Sequence, residues 1–201
     1  MTEGQNTEKY NNKSDAELWS RVQSGDMDAL SVVYKKYYSD LYFYGLKCSG
    51  NKPLVEDSIQ DLYIKLWNGR ENISVKSIKP YLLTSLRRTL LDKLASRSEQ
   101  MKPEDNIPEN FAPELSVEDV TIKIELDQEK LDNLERGLKL LTSRQKEIIY
   151  LRFYQELSYD EIADMMDIKY QSVRNSVYES IKLIKNNLMD LVLLISTCAL
   201  W

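Results

Sequence analysis

Histidine is absent from this chain of 201 residues, and only 2 cysteines, 6 glycines and 5 prolines occur. Without histidine the chain lacks the commonest general base and the commonest metal ligand. Cys48 and Cys198 belong to none of the spaced metal motifs. The N-terminus, MTEGQNTEKYNNK, has no apolar signal region. Reduced thiols in a cytoplasmic protein are therefore expected. No apolar run reaches the roughly 20 residues of a membrane-spanning helix. The most apolar segment, the tail from Leu191 to Trp201, is about half that length, so no membrane insertion is expected. The scarcity of Gly and Pro leaves few turns, and long patterns of helical period fill the spaces between them. The expected fold class is all-α.

The net charge is −5, which by itself argues against nucleic-acid binding. Its distribution reverses the inference. Residues 1–100 carry 15 Lys/Arg against 13 Asp/Glu, residues 101–135 carry 3 against 11, and residues 136–201 carry 9 against 8. The acidity thus lies in the middle segment. Between Lys76 and Arg97 six basic residues face Asp92 alone, and such a patch can bind phosphates on an acidic chain.

Residues 1–13 are polar and expected to be disordered. Ser14 and Glu17 have capping-box spacing and start a short helix that ends near Gly25. A second helix is expected from about Asp28 to Lys47, with Leu30, Val33, Tyr34, Tyr37, Leu41 and Tyr44 buried. At helical spacing its tyrosines read as core or core-edge aromatics. A third helix, VEDSIQDLYIKLWN from Val55, buries Ile59, Leu62, Tyr63 and Leu66 and turns Asp57, Gln60, Asp61 and Lys65 outward. That outer face reads as solvated surface. A fourth, from Tyr81 to Ser96, buries Leu82, Leu86, Leu90 and Leu94 and leaves Arg87, Arg88 and Lys93 outside. Residues 99–121 hold Pro103, Pro108 and Pro113 among many acids, and read as an acidic flexible linker. Helical pattern returns from Ile122 through Leu141. Thr142 or Ser143 then caps RQKEIIYLRFYQE, whose Ile148, Ile149 and Phe153 are apolar.

The last helical pair carries chemistry. Ser158 and Glu161 repeat the capping-box spacing, and Ile162, Ala163 and Met166 give a short apolar face. The pattern breaks over residues 167–170. It resumes with Val173, Val177, Ile181, Ile184 and Leu188 on one stripe. At about 100° per residue, Gln171, Arg174, Asn175, Tyr178, Lys182 and Lys185 lie opposite, with Ser172 beside them. Amide, guanidinium, phenol and ammonium groups on one helix are what reading base edges and holding phosphates requires. A short helix, a tight turn and such a helix make a helix-turn-helix. The tail, residues 191–201, is expected to be buried within the chain or against a partner.

Three of these segments together resemble a known family. VEDSIQDLYIKLW is similar to the core-polymerase-binding helix of bacterial RNA polymerase sigma factors of the extracytoplasmic-function (ECF) type. YLLTSLRRTLLDKL resembles their promoter helix, and LTSRQKEIIYLRFYQELSYDEIADMMDIKYQSVRNSV their C-terminal helix-turn-helix. The resemblance spans nearly all of residues 14–190 in matching order. It implies a sigma2-like domain over residues 14–98 and a sigma4-like domain over 122–190. Asp57, Gln60, Asp61 and Lys65 would then meet core RNA polymerase. Lys76, Lys79, Tyr81, Arg87 and Arg88 would hold the near promoter element, and Gln171, Ser172, Arg174, Asn175, Tyr178 and Lys182 the far one. Core polymerase, promoter DNA and an anti-sigma factor are the implied partners, with no cofactor, metal, small-molecule substrate or catalytic residue. Departures from the family pattern are Arg88, where Asn is frequent, and Asp167, where Gly is usual. Asp tolerates a positive φ better than most residues. The recognition helix, NSVYESIK, is also less basic than usual. Tethering to polymerase compensates by raising effective concentration.

The competing reading is a helix-turn-helix regulator that acts without being a polymerase subunit. It predicts a receiver or ligand-binding N-terminal domain; a receiver would show alternating βα units and an acidic phosphorylation pocket, and residues 1–100 show neither. An enzyme lacks any supporting constellation of residues.

Overall fold

A computed structural model describes Tyr10, residues 13–97 and residues 128–198, with side chains described to residue 96 in the first stretch and from 134 to 184 in the second. Every regular element among the described residues is helical, as the composition implies. The chain divides into two compact units, Met1–Ile107 and Pro108–Trp201. The expected linker lies outside the described residues, as do the side chains of the apolar tail.

The first unit holds α1 (Asp15–Gln23), α2 (Met27–Ser49), α3 (Lys52–Gly69) and α4 (Ile78–Arg97). The capping box of Ser14 and Glu17 opens α1. Asp26 caps α2, which ends at Gly50 in a left-handed conformation (φ 61°) that glycine adopts without a Cβ penalty. Asn51 caps α3, and Pro53 sits in its first turn, where no amide donor is needed. Helix α4 begins three residues before its expected start and takes Pro80 into its first turn for the same reason. Helix α2 packs against α1, α3 and α4, and α3 packs against α4. Tyr44, Leu41, Ile59, Leu82, Leu83 and Leu86 are among the core side chains that bind them.

The buried stripe of α2 differs from the expected one, and Tyr10 stands apart from its polar neighbours in sequence. Leu30 is only half-buried and Tyr34 is exposed; Ala29, Gly45 and Cys48 complete the buried stripe instead. Small residues let neighbouring helices approach, so they occupy the contact line and the larger rings are displaced to its edge. Tyr10, within the segment expected to be disordered, is 2% exposed. Its hydroxyl donates to Asp26 at 2.8 Å and its ring lies under Arg21. The aromatic ring gains more from that burial than a polar residue would.

Asp15 ties α1 to α2. It accepts from Lys36 Nζ at 2.6 Å and from the hydroxyl of Tyr37. Burial opposes its charged form, but those two hydrogen bonds and the Lys36 charge outweigh burial and hold its carboxyl below the usual range. Burial and Asp15 together push the Tyr37 phenol up. A depressed carboxylate adds stability above the ordinary Asp value of about 3.9, and that stability is lost as pH falls through the lower folded value. The Asp15→Asn variant is therefore expected to show a lower urea midpoint than wild type near neutrality. The gap should narrow on acidification to about pH 3. A gap independent of pH would mean the carboxylate charge contributes nothing.

The second unit holds α5 (Gln128–Lys139), α6 (Ser143–Ile149), α7 (Tyr159–Met166) and α8 (Tyr170–Cys198). Thr142 caps α6 in a capping box with Gln145. The expected continuous helix to residue 156 does not form. Beyond Ile149 the chain widens into a π turn, Tyr150–Tyr154, in which the Gln155 amide reaches back to the Tyr150 carbonyl at 3.1 Å. Ile148, Ile149, Tyr150 and Leu151 are all buried in succession. Tyr150 and Leu151 of the π turn continue the buried run that Ile148 and Ile149 begin in α6. The same turn leaves the apolar Phe153 49% exposed. Helix α8 packs on α5, α6 and α7.

Candidate nucleic-acid and partner interfaces

The helix-turn-helix is built from α7 and α8. Ser158 Oγ accepts from the Glu161 amide at 3.2 Å, and the Glu161 carboxylate accepts from the Ser158 amide at 2.8 Å. These bonds start α7 at Tyr159, and Ile162, Ala163, Met165 and Met166 become its buried face. It stops at Asp167, whose φ of 53° and ψ of 53° are left-handed, as the position requires where glycine is usual. Three residues later α8 begins. Val173, Val177 and Ser180 face inward. Gln171, Ser172, Arg174, Asn175, Tyr178 and Lys182 are all exposed, so these six expected reading positions of α8 stand on the open side. Tyr178 is 64% exposed. The Gln171 side-chain amide donates to Asn175 Oδ1 at 2.8 Å, one helical turn along, which holds the two amides together before any ligand arrives. The side chain of Lys185 lies outside the described residues.

One feature of this region is not visible in the residue pattern. Arg152, in the π turn, donates to the Leu157 carbonyl at 2.8 Å and lies 5.0 Å over the Tyr159 ring. Tyr159 in turn meets Tyr170 edge to face at 5.9 Å. Guanidinium and two rings thus join the first residues of both helices and hold their angle. The aromatic residues at both helix starts are the sequence signal; the cation comes from another element.

In the first unit, α3 presents Asp57, Gln60 and Lys65 as exposed side chains. Asp61 is half-buried, because its Oδ2 receives Lys93 Nζ of α4 at 2.7 Å. Beside this face runs a groove of 660 Å³ between α2 and α3. Met27, Tyr34, Tyr38, Ile64 and Trp67 line it, with Glu56, Asp57 and Gln60 at polar positions. Tyr34 packs on Tyr38 at 5.2 Å and on Tyr63 at 4.9 Å. Tyr34 and Tyr38 are groove wall rather than core, whereas Tyr63 is buried behind them, and this explains the exposure of Tyr34.

The basic patch on and before α4 is less open than the sequence implies. Lys76 and Arg88 are exposed, and Tyr81 is half-buried. Lys79 Nζ is held by Asp40 of α2 at 2.9 Å. Arg87, expected outside, is only 6% exposed, and this corrects its placement. It stands four residues after Leu83 and three before Leu90, both fully buried, so it shares their helix face. Lys93, also expected outside, is the partner of Asp61. The pairing carboxylates lie on α2 and α3, out of reach of any reading confined to α4.

Similarity to known proteins follows the same two units. Residues 33–100 match the model for Sigma-70 region 2, and residues 131–184 match that for Sigma-70, region 4. The ECF RNA polymerase sigma factor SigK of Mycobacterium bovis (strain BCG / Pasteur 1173P2) is 24% identical over 171 residues, covering 84% of this chain and 90% of that protein. The RNA polymerase sigma factor YlaC of Bacillus subtilis (strain 168) is 23% identical over 162 residues, covering 80% and 92%. Two solved structures share the fold. CnrH in complex with the cytosolic domain of CnrY has a TM-score of 0.57 at 14% identity, over 89% of this chain and 98% of that one. The sigma factor RpoE in complex with the anti-sigma factor NepR from Bartonella quintana has a TM-score of 0.51 at 19% identity, over 78% and 94%.

Proposed function

Because this chain belongs to the sigma-70 family as an ECF-type RNA polymerase sigma factor, which binds core polymerase and directs promoter recognition in transcription initiation, we propose a division of that work between its two units. The second unit reads the far promoter element as duplex, with α8 in the major groove. The observation that carries this is the placement of α8: six polar side chains share its exposed side while Val173 and Val177 anchor the other in the core. Arg174 is suited to a guanine edge and Asn175 to an adenine edge; Lys182 is suited to a phosphate. The first unit carries both other surfaces. Asp57, Gln60, Asp61 and Lys65 on α3 meet polymerase, and Lys76, Tyr81 and Arg88 serve the near promoter element. The residues between the units act as an acidic linker.

The chain works by binding, and the bond-making belongs to the polymerase. Its place of work is the cytoplasm, where the polymerase is; no helix among the described residues is long and apolar enough to cross a membrane. An anti-sigma factor is the proposed regulator, in keeping with the similar fold of an RpoE captured with one.

Run-off transcription with purified core polymerase and a matched promoter tests the whole reading. A promoter-dependent product is expected only when the chain is added; no product would overturn it. The α3 assignment has its own test. Asp57→Lys reverses an exposed charge and should weaken core binding by roughly 3- to 10-fold, while duplex DNA binding by the free chain is unchanged. Equal loss of both would remove α3 from the polymerase interface.

A further inference from the structure

We propose that Lys93 is a phosphate-contacting residue of α4 that Asp61 masks in the free chain, and that capture of Asp61 by polymerase unmasks it. The inference rests on the assignment above of α3 to polymerase and α4 to the near promoter element. It begins with one ion pair. Lys93 Nζ lies 2.7 Å from Asp61 Oδ2, and the two residues stand on different helices, 32 positions apart in sequence. The side chains are 30% and 47% exposed, so both can be reached from outside without unfolding the unit. One end of the pair therefore lies on the surface assigned to polymerase, and the other on the helix assigned to DNA.

The state of the remaining basic groups makes this pair consequential. Arg87 is buried and Lys79 is held by Asp40, which leaves Lys76 and Arg88 as the exposed cations among the five basic residues named here. Phosphate affinity scales with the number of cations delivered to the backbone, so releasing one more is a measurable gain. A carboxylate drawn to a cation of the polymerase gives up part of its bond to Lys93. The freed ammonium then takes a phosphate as its new partner. Each ligand thus removes the internal competitor of the other, and the coupling is positive and reciprocal. A partly exposed pair has modest strength, which limits the coupling to a factor of roughly 2 to 5. The Asp40–Lys79 pair has the same chemistry, but Asp40 is on α2 and off the assigned polymerase face. It serves as the control.

Full-length variants measured at low salt test the proposal. Lys93→Gln should tighten core binding by about 2- to 5-fold, because Asp61 is released. It should also reduce by about one the slope of log affinity against log salt for promoter binding by the holoenzyme. Lys79→Gln should leave core binding unchanged. In an Asp61→Asn background, Lys93→Gln should have no further effect on core binding. In the free chain, Asp61→Asn should raise affinity for a non-specific duplex and steepen its salt dependence by about one cation. Circular dichroism melts establish that each variant is folded; Lys93→Arg keeps the charge and should behave as wild type. The proposal is overturned if folded Lys93→Gln binds core no more tightly than wild type, or if the holoenzyme salt slope is unchanged. A different outcome separates the parent assignment. If Asp61→Asn does not alter core binding, Asp61 is not a polymerase contact, and the assignment falls with the coupling.

Discussion

Alanine at both Arg174 and Asn175 should lower holoenzyme affinity for its far promoter element by a factor on the order of 100 or more. Each is placed for a two-point contact with a base edge, and such a contact discriminates by roughly 1–3 kcal/mol. The effect should be confined to that element. A promoter whose far element is scrambled should bind the variant and the wild type alike, and core binding should not change. The confinement follows from where the two side chains stand. Both are exposed on α8, one turn or less from Gln171 and Tyr178, and neither takes part in the packing that holds α8 through Val173 and Val177. Removal of Asn175 also frees Gln171 from the 2.8 Å amide bond, so the single variant should perturb more than its own base. Equal loss of promoter and core binding would contradict the separation of roles between the units.

Gly137→Val should destabilise the second unit by about 3 kcal/mol and Gly137→Ala by about 1–2 kcal/mol, with the transition of the first unit unmoved. A Cβ at this position would lie 3.0 Å from Ile184 Cα and 3.2 Å from its Cγ1. The nearest atom is backbone of α8, which cannot rotate out of the way as a flexible side chain could. Alanine has the better intrinsic helix propensity, by about 1 kcal/mol, and this offsets part of the clash. Valine adds methyls to the same contact and lacks that compensation. Because α5 lies against the helix that carries the reading face, the displaced contact should also weaken far-element recognition in molecules that stay folded. Urea unfolding followed by far-ultraviolet circular dichroism, with core binding as the readout of the first unit, checks both effects. A valine variant as stable as wild type would show that α5 can move away from α8.

The capped helix starts were the most legible, because caps are local. Ser14 with Glu17, Thr142 with Gln145, and Ser158 with Glu161 each satisfy backbone donors within three residues, and the structure forms all three capping boxes. The left-handed stop at Asp167 and the reading face of α8 were legible for the same kind of reason. One depends on a single residue's tolerance of positive φ, the other on angular position around one helix. The π turn was not, because a buried apolar run such as Ile148 to Leu151 is equally compatible with a regular helix packed on all sides.

What the chain determines by itself is thus the set of helices, the starts that capping boxes mark, and which side of α3 and α8 is polar. Those properties depend on residues no more than a turn or two apart. What the tertiary structure alone decided is the state of the charges and the large rings. Lys79 and Lys93 are neutralised by carboxylates from α2 and α3, Arg87 is turned inward beside Leu83 and Leu90, and Tyr34 and Tyr38 become the wall of a groove. The strength of an ion pair or the exposure of a ring depends on its distance to atoms on another helix. No count of charges along α4 contains that distance.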